Sequence, residues 1–547
     1  MRPQLAPAPR PGRLAALAPR PGRLAAPAPR PGRLAALAAR PGWLAASLAL
    51  AAALGACEPP PRPRAAPPPL PPPPPAGPPV FAFASAEAGA SSVTLWARAG
   101  GGEPRGTRLN ALVREAAGGP DVAGGSVAVG AETDFAGRLS LRGLKPGAAY
   151  AYRVWFADAR GPGEAREGRF RTAPEPGSPE PLRFAWLGDV GGQNVCRDRV
   201  EGYPIFRRVE QSAPDFWVAL GDMVYADGAC EPTGAFGNPQ VAPGPRPARS
   251  LEGFFAHWRY NREDPAAQAL HAAAPYFAVW DDHEVANDFG PSAPDPYDPS
   301  RPIADALLPA GLRAFLAYNP LSSAGAGGGP LYRALRWGKH LEVFFLDTRG
   351  RRDPNAAADN GPAPKTMLGA EQRAWLERAV PASDATWKVV VSGVPLSAPT
   401  GSSGEQARDG WAGHLGPTGF ERELGELLRG FARASVKNLL FLTTDVHYAQ
   451  ALRYAPFAEH PGFVFYEAMA GPAAAGLFPS RALDPTFAPE RLFFFGPEGA
   501  GAAPRDFAAA KRWFNFGLVE IDRGGALALR VVDALGGSPG ALRLAPR

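Results

Sequence analysis

The stretch FWVALGDMVYADG (216–228) is a run of apolar residues that ends abruptly at a Gly-Asp pair. The same pattern recurs in FAWLGDVGGQ (184–193), in YFAVWDDHEVAND (276–288) and in LLFLTTDVHYAQ (439–450). Short, continuous apolar runs are typical of strands that are buried on both faces of a sheet. Because the carboxyl ends of parallel strands meet at one edge of a sheet, the four stretches predict polar side chains that converge on one pocket.

Further strand and helix patterns alternate around these four stretches. Strands are predicted in LEVFFLD (341–347) and WKVVVSG (387–393), and a closing hairpin in FNFGLVEID (514–522) and ALALRVVD (526–533). Helices are predicted in YPIFRRVEQS (203–212), EQRAWLERAV (371–380) and FERELGELLRGFARA (420–434). This alternation predicts an α/β fold with layered β-sheets flanked by helices.

The chain before residue 181 divides into three parts by composition. Residues 1–57 form a low-complexity leader, and residues 58–79 are so rich in proline that they predict a stiff, extended tether. Residues 80–174 contain short strands separated by Gly and Pro turns, which predict a small all-β sandwich similar to a fibronectin type III domain. The layered part is expected to span residues 181–540.

The leader ends in SLALAAALGAC (47–57), an apolar run followed by small residues and Cys57 that resembles a bacterial lipoprotein signal. We therefore expect export to the cell envelope, on its periplasmic or extracellular face, and contact with a membrane only through a lipid anchor. A plain signal peptide and a cytoplasmic protein with an unusual N-terminus are the alternatives. Oligomeric state has no signature in the sequence.

Net charge argues against a nucleic-acid partner. The formal charge is +6, from 58 basic and 52 acidic residues, but the leader alone contributes eight Arg and no acidic residue. The remainder has 58 − 8 = 50 basic against 52 acidic residues, a charge of −2. A protein that follows a phosphate backbone needs a basic surface, so no nucleic acid is expected as a partner.

The side chains at the predicted strand ends are of the kinds that hold metal ions. Hydrolysis of a phosphate ester at neutral pH needs a strong nucleophile and counter-charge for the phosphoryl oxygens, and two bridged cations supply both. Asp222 is the candidate bridge between the two ions. The other candidate ligands are Asp189 and His447 for one metal, and Asp445 with either Asn287 or Asp282 for the other.

The motifs resemble those of PhoD-type alkaline phosphatases, within the metallophosphoesterases. GDMVYADG is similar to that family's GD-x-x-Y motif, WDDHEVAND lies where related enzymes carry GNHE, and TDVH lies where they carry GHxH. The resemblance implies that Asp189, Asp222, Tyr225 and His447 surround Fe³⁺. It implies that Asp222, Asp445 and either Asp282 or Asn287 surround a second ion, and their oxygen ligands favour Ca²⁺.

Two further candidates complete the predicted catalytic groups. The resemblance implies that His283 is a general acid or a phosphate contact. Arg349, at the end of LEVFFLDTR (341–349), is either a bidentate phosphate clamp or half of a structural ion pair.

Cysteine raises one question at the same site. Some relatives place a Cys ligand at the end of the first strand, where this chain has Asp189. Cys196 is therefore either a metal ligand or, after export, the disulfide partner of Cys230.

These expectations define an exported, metal-dependent phosphatase that hydrolyses phosphate monoesters, diesters or both. The resemblance implies a metal-bound hydroxide at a dinuclear site as the nucleophile. The alternatives are a phospholipase D-like phosphodiesterase of the same fold and a non-catalytic surface binding protein.

Overall fold

The computed structural model describes residues 85–100, 107–322, 329–498 and 504–547. The predicted leader, with Cys57, and the proline-rich tether lie outside the described residues. All described residues belong to one compact unit.

The N-terminal part is an all-β sandwich. One sheet has the order β1-β2-β5, and the other has the order β4-β3-β6-β7 with β8 paired to β6. Their apolar side chains form a shared core that includes Leu95, Leu109 and Val154. The strands are β1 (Ser85–Ala88), β2 (Ser92–Arg98), β3 (Arg108–Glu115), β4 (Asp121–Ala128), β5 (Ala136–Arg142), β6 (Ala149–Asp158), β7 (Gly161–Pro162) and β8 (Arg166–Arg171).

The part that follows contains two larger sheets and a short hairpin. Its strands are β9 (Leu182–Leu187), β10 (Phe216–Leu220), β11 (Tyr276–Val279), β12 (Pro294–Asp295), β13 (Asp298–Pro302), β14 (Arg333–Trp337), β15 (Leu341–Phe345), β16 (Trp387–Val391), β17 (Leu439–Thr443), β18 (Ala449–Tyr454), β19 (Phe465–Met469), β20 (Pro489–Phe495), β21 (Asn515–Ile521), β22 (Leu527–Asp533) and β23 (Gly540–Leu544).

The sheets are parallel where the sequence predicts buried strands. In the first sheet, β11-β10-β9-β21-β22-β23, the strands β9, β10 and β11 run parallel, and β21 pairs antiparallel with β9. In the second, β14-β15-β16-β17-β19-β18-β20, the strands β15, β16, β17 and β19 run parallel. The predicted hairpin is formed by β21 and β22.

Helices cover the outer face of each large sheet. They are α1 (Pro204–Gln211), α2 (Leu251–Arg262), α3 (Pro265–Ala273), α4 (Leu307–Tyr318), α5 (Gly369–Ala382), α6 (Glu421–Arg433) and α7 (Phe507–Ala510). The Asp264 carboxylate caps α3 by accepting from the N–H groups of Ala266 and Ala267. Within the described ranges no helix has both the length and the apolar content of a membrane span.

The layers follow from the two-residue period of the strands. In β9, Phe184 and Trp186 face the second sheet, whereas Ala185 and Leu187 face the core shared with the α1–α4 region. The second sheet likewise faces α5 and α6 through residues such as Val390. The order helix, sheet, sheet, helix confirms the predicted layered α/β fold with a preceding β-sandwich.

The sandwich packs on the layered part through buried contacts. The indole Nε1 of Trp96, in β2, donates to the carbonyl of Ala317 at 2.6 Å. Arg333, in β14, forms an ion pair with Glu87, in β1, at 2.8 Å. The predicted boundaries of the two parts, 80–174 and 181–540, stay predictions, although β8 ends at Arg171 and β9 begins at Leu182.

Candidate metal centre

The predicted ligands follow the carboxyl ends of parallel strands in both large sheets. Asp189 follows β9, Asp222 follows β10 and Asp445 follows β17, each within two residues of its strand. Ligand atoms of Asp222, Asp282 and His283 lie within 4.8 Å of one another. This cluster forms because the loops after β10 and β11 leave adjacent, parallel strands at the same edge of the first sheet.

Several of these residues have a left-handed backbone, which is uncommon outside glycine. The φ angles are 60° for Asp189, 51° for Asp222, 76° for Asp445 and 58° for His447. Such conformations cost free energy and persist where the surrounding structure enforces them, often at functional sites. All four residues lie in the loops that follow β9, β10 and β17.

Tyr225 and His447 approach each other from different sheets. The Tyr225 hydroxyl lies 2.9 Å from His447 Nε2, and His447 Nδ1 lies 2.6 Å from the carbonyl oxygen of Gly476. A proton on Nδ1 satisfies that carbonyl and leaves a lone pair on Nε2, which accepts from the Tyr225 hydroxyl here and is the atom that would bind a metal. A Cβ atom at Gly192 would lie 2.4 Å from Tyr225 Cζ, so the loop after β9 needs glycine there.

Of the predicted carboxylate ligands that the structure describes, Asp282 is the one that has an arginine ion pair, with its Oδ1 3.6 Å from Arg349 Nη2. Among the described residues, no Lys or Arg forms an ion pair with Asp189, Asp222 or Asp445. The ion-pair contact of Asp189 is with His447, at 3.8 Å, and burial lowers the pKa of that imidazole to about 3. The imidazole is therefore neutral and leaves the carboxylate charge uncompensated.

Burial shapes the electrostatics of the same carboxylates. It raises the pKa of Asp189 to about 7. Burial, reinforced by neighbouring carboxylates including Asp282, raises the pKa values of Asp222 and Asp445 well above the usual range. Asp189 Oδ1 and Asp445 Oδ2 are buried without a hydrogen-bond partner. Buried anionic oxygens of this kind fit bound cations.

His283 is held by a carboxylate that sequence reasoning missed. Its Nδ1 lies 2.8 Å from Asp227 Oδ1, and the other Asp227 oxygen accepts from the backbone N–H of Asn287 at 2.7 Å. Burial opposes the charged imidazole, but Asp227, Asp282 and Asp445 outweigh it and raise the pKa of His283 to about 10. Asp227 lies inside the GDMVYADG motif, so its position there was the available signal.

Asn287 is exposed, unlike the other predicted ligands. Its backbone N–H donates to Asp227, the partner of His283. Of the two alternative ligands, Asp282 lies in the cluster with Asp222. The choice between Asp282 and Asn287 stays a prediction.

Arg349 lies behind the cluster and is fully buried. Its Nε donates to Asp281 at 2.5 Å, while Nη1 and Nη2 donate to the two oxygens of Asp409 at 2.6 and 2.7 Å. Arg352 also donates to Asp409 at 2.6 Å. Arg349 and Arg352 outweigh burial and lower the pKa of Asp409 to about 2.

Cys196 and Cys230 form a disulfide, with their Cα atoms 5.8 Å apart. The bond joins the loop after β9 to the loop after β10, and both loops carry predicted ligands. Of the two roles left open for Cys196, the structure has the disulfide.

Glu284 and Thr444 also contact the ligands without a signal in the sequence patterns. The Thr444 hydroxyl donates to Asp189 Oδ2 at 2.5 Å, and Glu284 accepts from the backbone N–H of Asp222 at 3.0 Å. Thr444 precedes the predicted ligand Asp445 and Glu284 follows the predicted catalytic residue His283, but only the folded loops show their contacts.

Comparisons with known proteins agree with this architecture. The PhoD-like phosphatase family profile matches residues 184–500. Alkaline phosphatase D of Bacillus subtilis (strain 168) is 28% identical over 323 residues, which are 56% of this chain and 52% of that protein. The chain thus spans about half the length of that curated relative.

A solved structure shows the same fold. The structure of PhoD superposes with a TM-score of 0.65 at 20% sequence identity, and the superposition covers 85% of this chain and 89% of that chain. Together with the profile match over more than half of the sequence, this likeness identifies the chain as a member of the PhoD-like phosphatase family.

Proposed function

We propose that this chain is an exported, metal-dependent phosphatase that releases phosphate from monoesters, diesters or both. The observation that carries the proposal is a group of three carboxylates, the buried Asp189 and Asp222 and the half-buried Asp445, which lacks an arginine or lysine ion pair among the described residues. Membership of the PhoD-like phosphatase family supports the reaction class. Bound cations would supply positive charge for the phosphoryl oxygens and increase the acidity of the attacking water.

The donor set supports different ions on its two sides. Asp189, Asp222, Tyr225 and His447 would hold Fe³⁺, because a phenolate is a hard anionic ligand that a highly charged cation favours. Asp222, Asp445 and either Asp282 or Asn287 would hold Ca²⁺ through oxygen atoms. Burial, and then the nearby carboxylates, raise the pKa of Tyr225 well above its usual value without metal, so its phenolate form needs such a cation.

His283 is the group that we assign to proton transfer. Asp227 engages Nδ1, which leaves Nε2 to donate a proton to the departing alkoxide. The Tyr225 ring stacks on the imidazole, with centroids 4.0 Å apart, and restricts its rotation.

For Arg349 the contacts favour the ion pair over the phosphate clamp. Its three guanidinium nitrogens all bond to carboxylates of the chain, Asp281 and Asp409. Its Nη2 also lies 3.6 Å from Asp282 Oδ1, so we assign it to holding the loops behind the cluster and supplying positive charge to Asp282.

Export is supported by the disulfide between Cys196 and Cys230. Disulfides persist in oxidising compartments and are rare in a reducing cytosol. Lipid anchoring at Cys57 is part of the proposal, and Cys57→Ser should abolish incorporation of labelled fatty acid. Incorporation that continues unchanged would argue against the anchor.

A paired assay tests the central function. Purified protein should release p-nitrophenol from p-nitrophenyl phosphate, from its bis ester or from both, and removal of metal should abolish that release. The relative rates on the two esters separate monoesterase from diesterase activity. Full turnover in protein that elemental analysis shows to be free of metal would contradict the proposal.

The visible spectrum tests the iron assignment separately. A tyrosinate-to-iron charge-transfer band is expected in the wild type and should disappear in Tyr225→Phe. Tyr260→Phe, another buried tyrosine, is the control and should keep the band. A band that survives in Tyr225→Phe would exclude Tyr225 as the ligand.

A further inference from the structure

Glu284 is a fully buried carboxylate between the two loops that carry Asp222 and Asp282. It accepts three backbone N–H groups: Asp222 at 3.0 Å and Asp281 at 2.8 Å on Oε2, and Met223 at 2.8 Å on Oε1. We propose that Glu284 is a positioning residue that fixes the separation of these loops and thereby the metal affinity of the site. The inference rests on the proposed metal-dependent function.

The two loops approach each other unusually closely. They leave β10 and β11, which are adjacent and parallel with Leu220 beside Val279. Gly221 has a φ of +87°, and a Cβ atom there would lie 2.6 Å from Asp281 Cβ. The N–H groups of Asp222, Met223 and Asp281 are therefore enclosed where the loops touch, and an unpaired buried N–H is costly. One carboxylate satisfies all three.

A tight turn returns the Glu284 side chain to this junction. The N–H groups of Val285 and Ala286 both donate to the Asp282 carbonyl, each at 2.8 Å. The same turn brings the His283 N–H within 3.1 Å of Asp222 Oδ1. A shift of one loop against the other would therefore separate the Asp222 and Asp282 oxygens that lie together in the cluster.

Glu423 provides a matched carboxylate away from the cluster. It is buried in α6 and accepts from the Thr366 hydroxyl and the Met367 N–H, both at 2.6 Å, and from the Leu368 N–H at 3.3 Å. Its partners precede α5. Glu423→Gln therefore replaces one carboxylate oxygen by an amide group in a comparable setting, but without contact to a predicted ligand.

The test compares Glu284→Gln with Glu423→Gln in the full chain. Each purified variant is challenged with increasing EDTA, and the metal it retains is measured by elemental analysis, alongside urea unfolding, kcat and KM. Changed partners that orient metal ligands typically cost about 10- to 100-fold in metal affinity. We expect Glu284→Gln to lose half its metal at a chelator concentration lower by that factor, with a reduced kcat that excess metal restores in part.

Glu423→Gln should retain metal as the wild type does, even where its urea midpoint falls as far as that of Glu284→Gln. Equal metal retention in the two variants would overturn the inference. Should Glu284→Gln fail to fold, Glu284→Asp and Glu423→Asp shorten the two carboxylates by one methylene and allow the same comparison. A wild type without metal or activity would refute the proposed function itself, whereas a failure confined to the variants would refute only the role of Glu284.

Discussion

Asp222 and Asp409 are equally buried, at 1% exposure each, yet their surroundings are opposite. Arg349 and Arg352 outweigh burial and lower the pKa of Asp409 to about 2. Burial and neighbouring carboxylates raise the pKa of Asp222 well above the usual range. The chain thus supplies its own cations to one carboxylate and leaves the other for cations from solution.

Asp281 is the intermediate case. Arg349 Nε bonds to it, but burial dominates and raises its pKa to about 6. The three carboxylates therefore form a series in which arginine contacts decrease. Asp282, a candidate metal ligand, also lies 3.6 Å from Arg349 Nη2, so the contrast is between Asp409 and Asp222 and not between all structural acids and all candidate ligands.

The largest expected effect is on turnover in Asp222→Asn. The variant keeps the side-chain shape but removes the charge that is proposed to bridge the metals, so phosphate release should fall to background. Asp264→Asn, a buried helix cap, is the control and should keep its activity per folded molecule. If Asp222→Asn hydrolysed both p-nitrophenyl esters at the wild-type rate, Asp222 would not be a metal ligand needed for turnover.

His283→Gln should separate catalysis from metal binding, because it removes the proposed general acid but none of the proposed metal ligands. Loss of a general acid typically lowers kcat by about 10²- to 10⁴-fold. The fall should be smaller on esters with good leaving groups, which need less protonation. His257→Gln, another buried histidine, is the control. An unchanged kcat on an alkyl phosphate would rule out His283 as the acid.

Asp409→Asn should lower the free energy of unfolding. It leaves the buried charges of Arg349 and Arg352 poorly compensated, and breaking a buried pair costs about 3–5 kcal/mol of unfolding free energy. In metal-free protein, Asp222→Asn should have the opposite sign and raise the free energy of unfolding, because burial and neighbouring carboxylates disfavour the charged form of Asp222. Urea unfolding measures both free energies of unfolding. An equal decrease in the two variants would contradict the proposed difference between Asp409 and Asp222.

The stability of the metal-free protein should also depend on pH. Burial raises the pKa of Asp189 to about 7 from an ordinary 3.8, so between those values the folded state binds a proton that the unfolded chain releases. The Asp189 contribution should therefore lower stability as pH rises from about 4 to about 7. The Asp409 contribution has the opposite sign. The stability that it adds above pH 3.8 is lost as the pH falls towards its folded-state pKa of about 2.

The difference between wild type and Asp189→Asn isolates the Asp189 contribution. Urea midpoints of desalted, metal-free protein across this pH range measure it. Parallel curves for the two proteins would show that Asp189 does not titrate as described.

The sequence predicts the strands and the order of the candidate ligands because both are local. An apolar run that ends in Asp or His marks a strand end, and the ends of β9, β10 and β17 carry Asp189, Asp222 and Asp445 as expected. The contacts of Arg349 with Asp281 and Asp409 join residues that lie far apart in the chain. No periodicity encodes which loops meet, so the sequence left the role of Arg349 open.

Loop conformation is the other feature that the sequence does not show. The left-handed backbone of Asp189, Asp222 and Asp445 is imposed by tertiary packing against local preference. The pairing of His283 with Asp227 depends on the turn after β11 meeting the loop after β10. The GDMVYADG motif contains Asp227, but its partner becomes evident only when both loops are in place.

Metal content across three proteins tests the central claim most directly. Elemental analysis of purified, folded wild type, Asp222→Asn and Asp409→Asn compares a carboxylate that awaits external cations with one that arginine already neutralises. We predict bound metal in the wild type and in folded Asp409→Asn, and its loss in Asp222→Asn. Equal metal content in Asp222→Asn and the wild type would contradict the account.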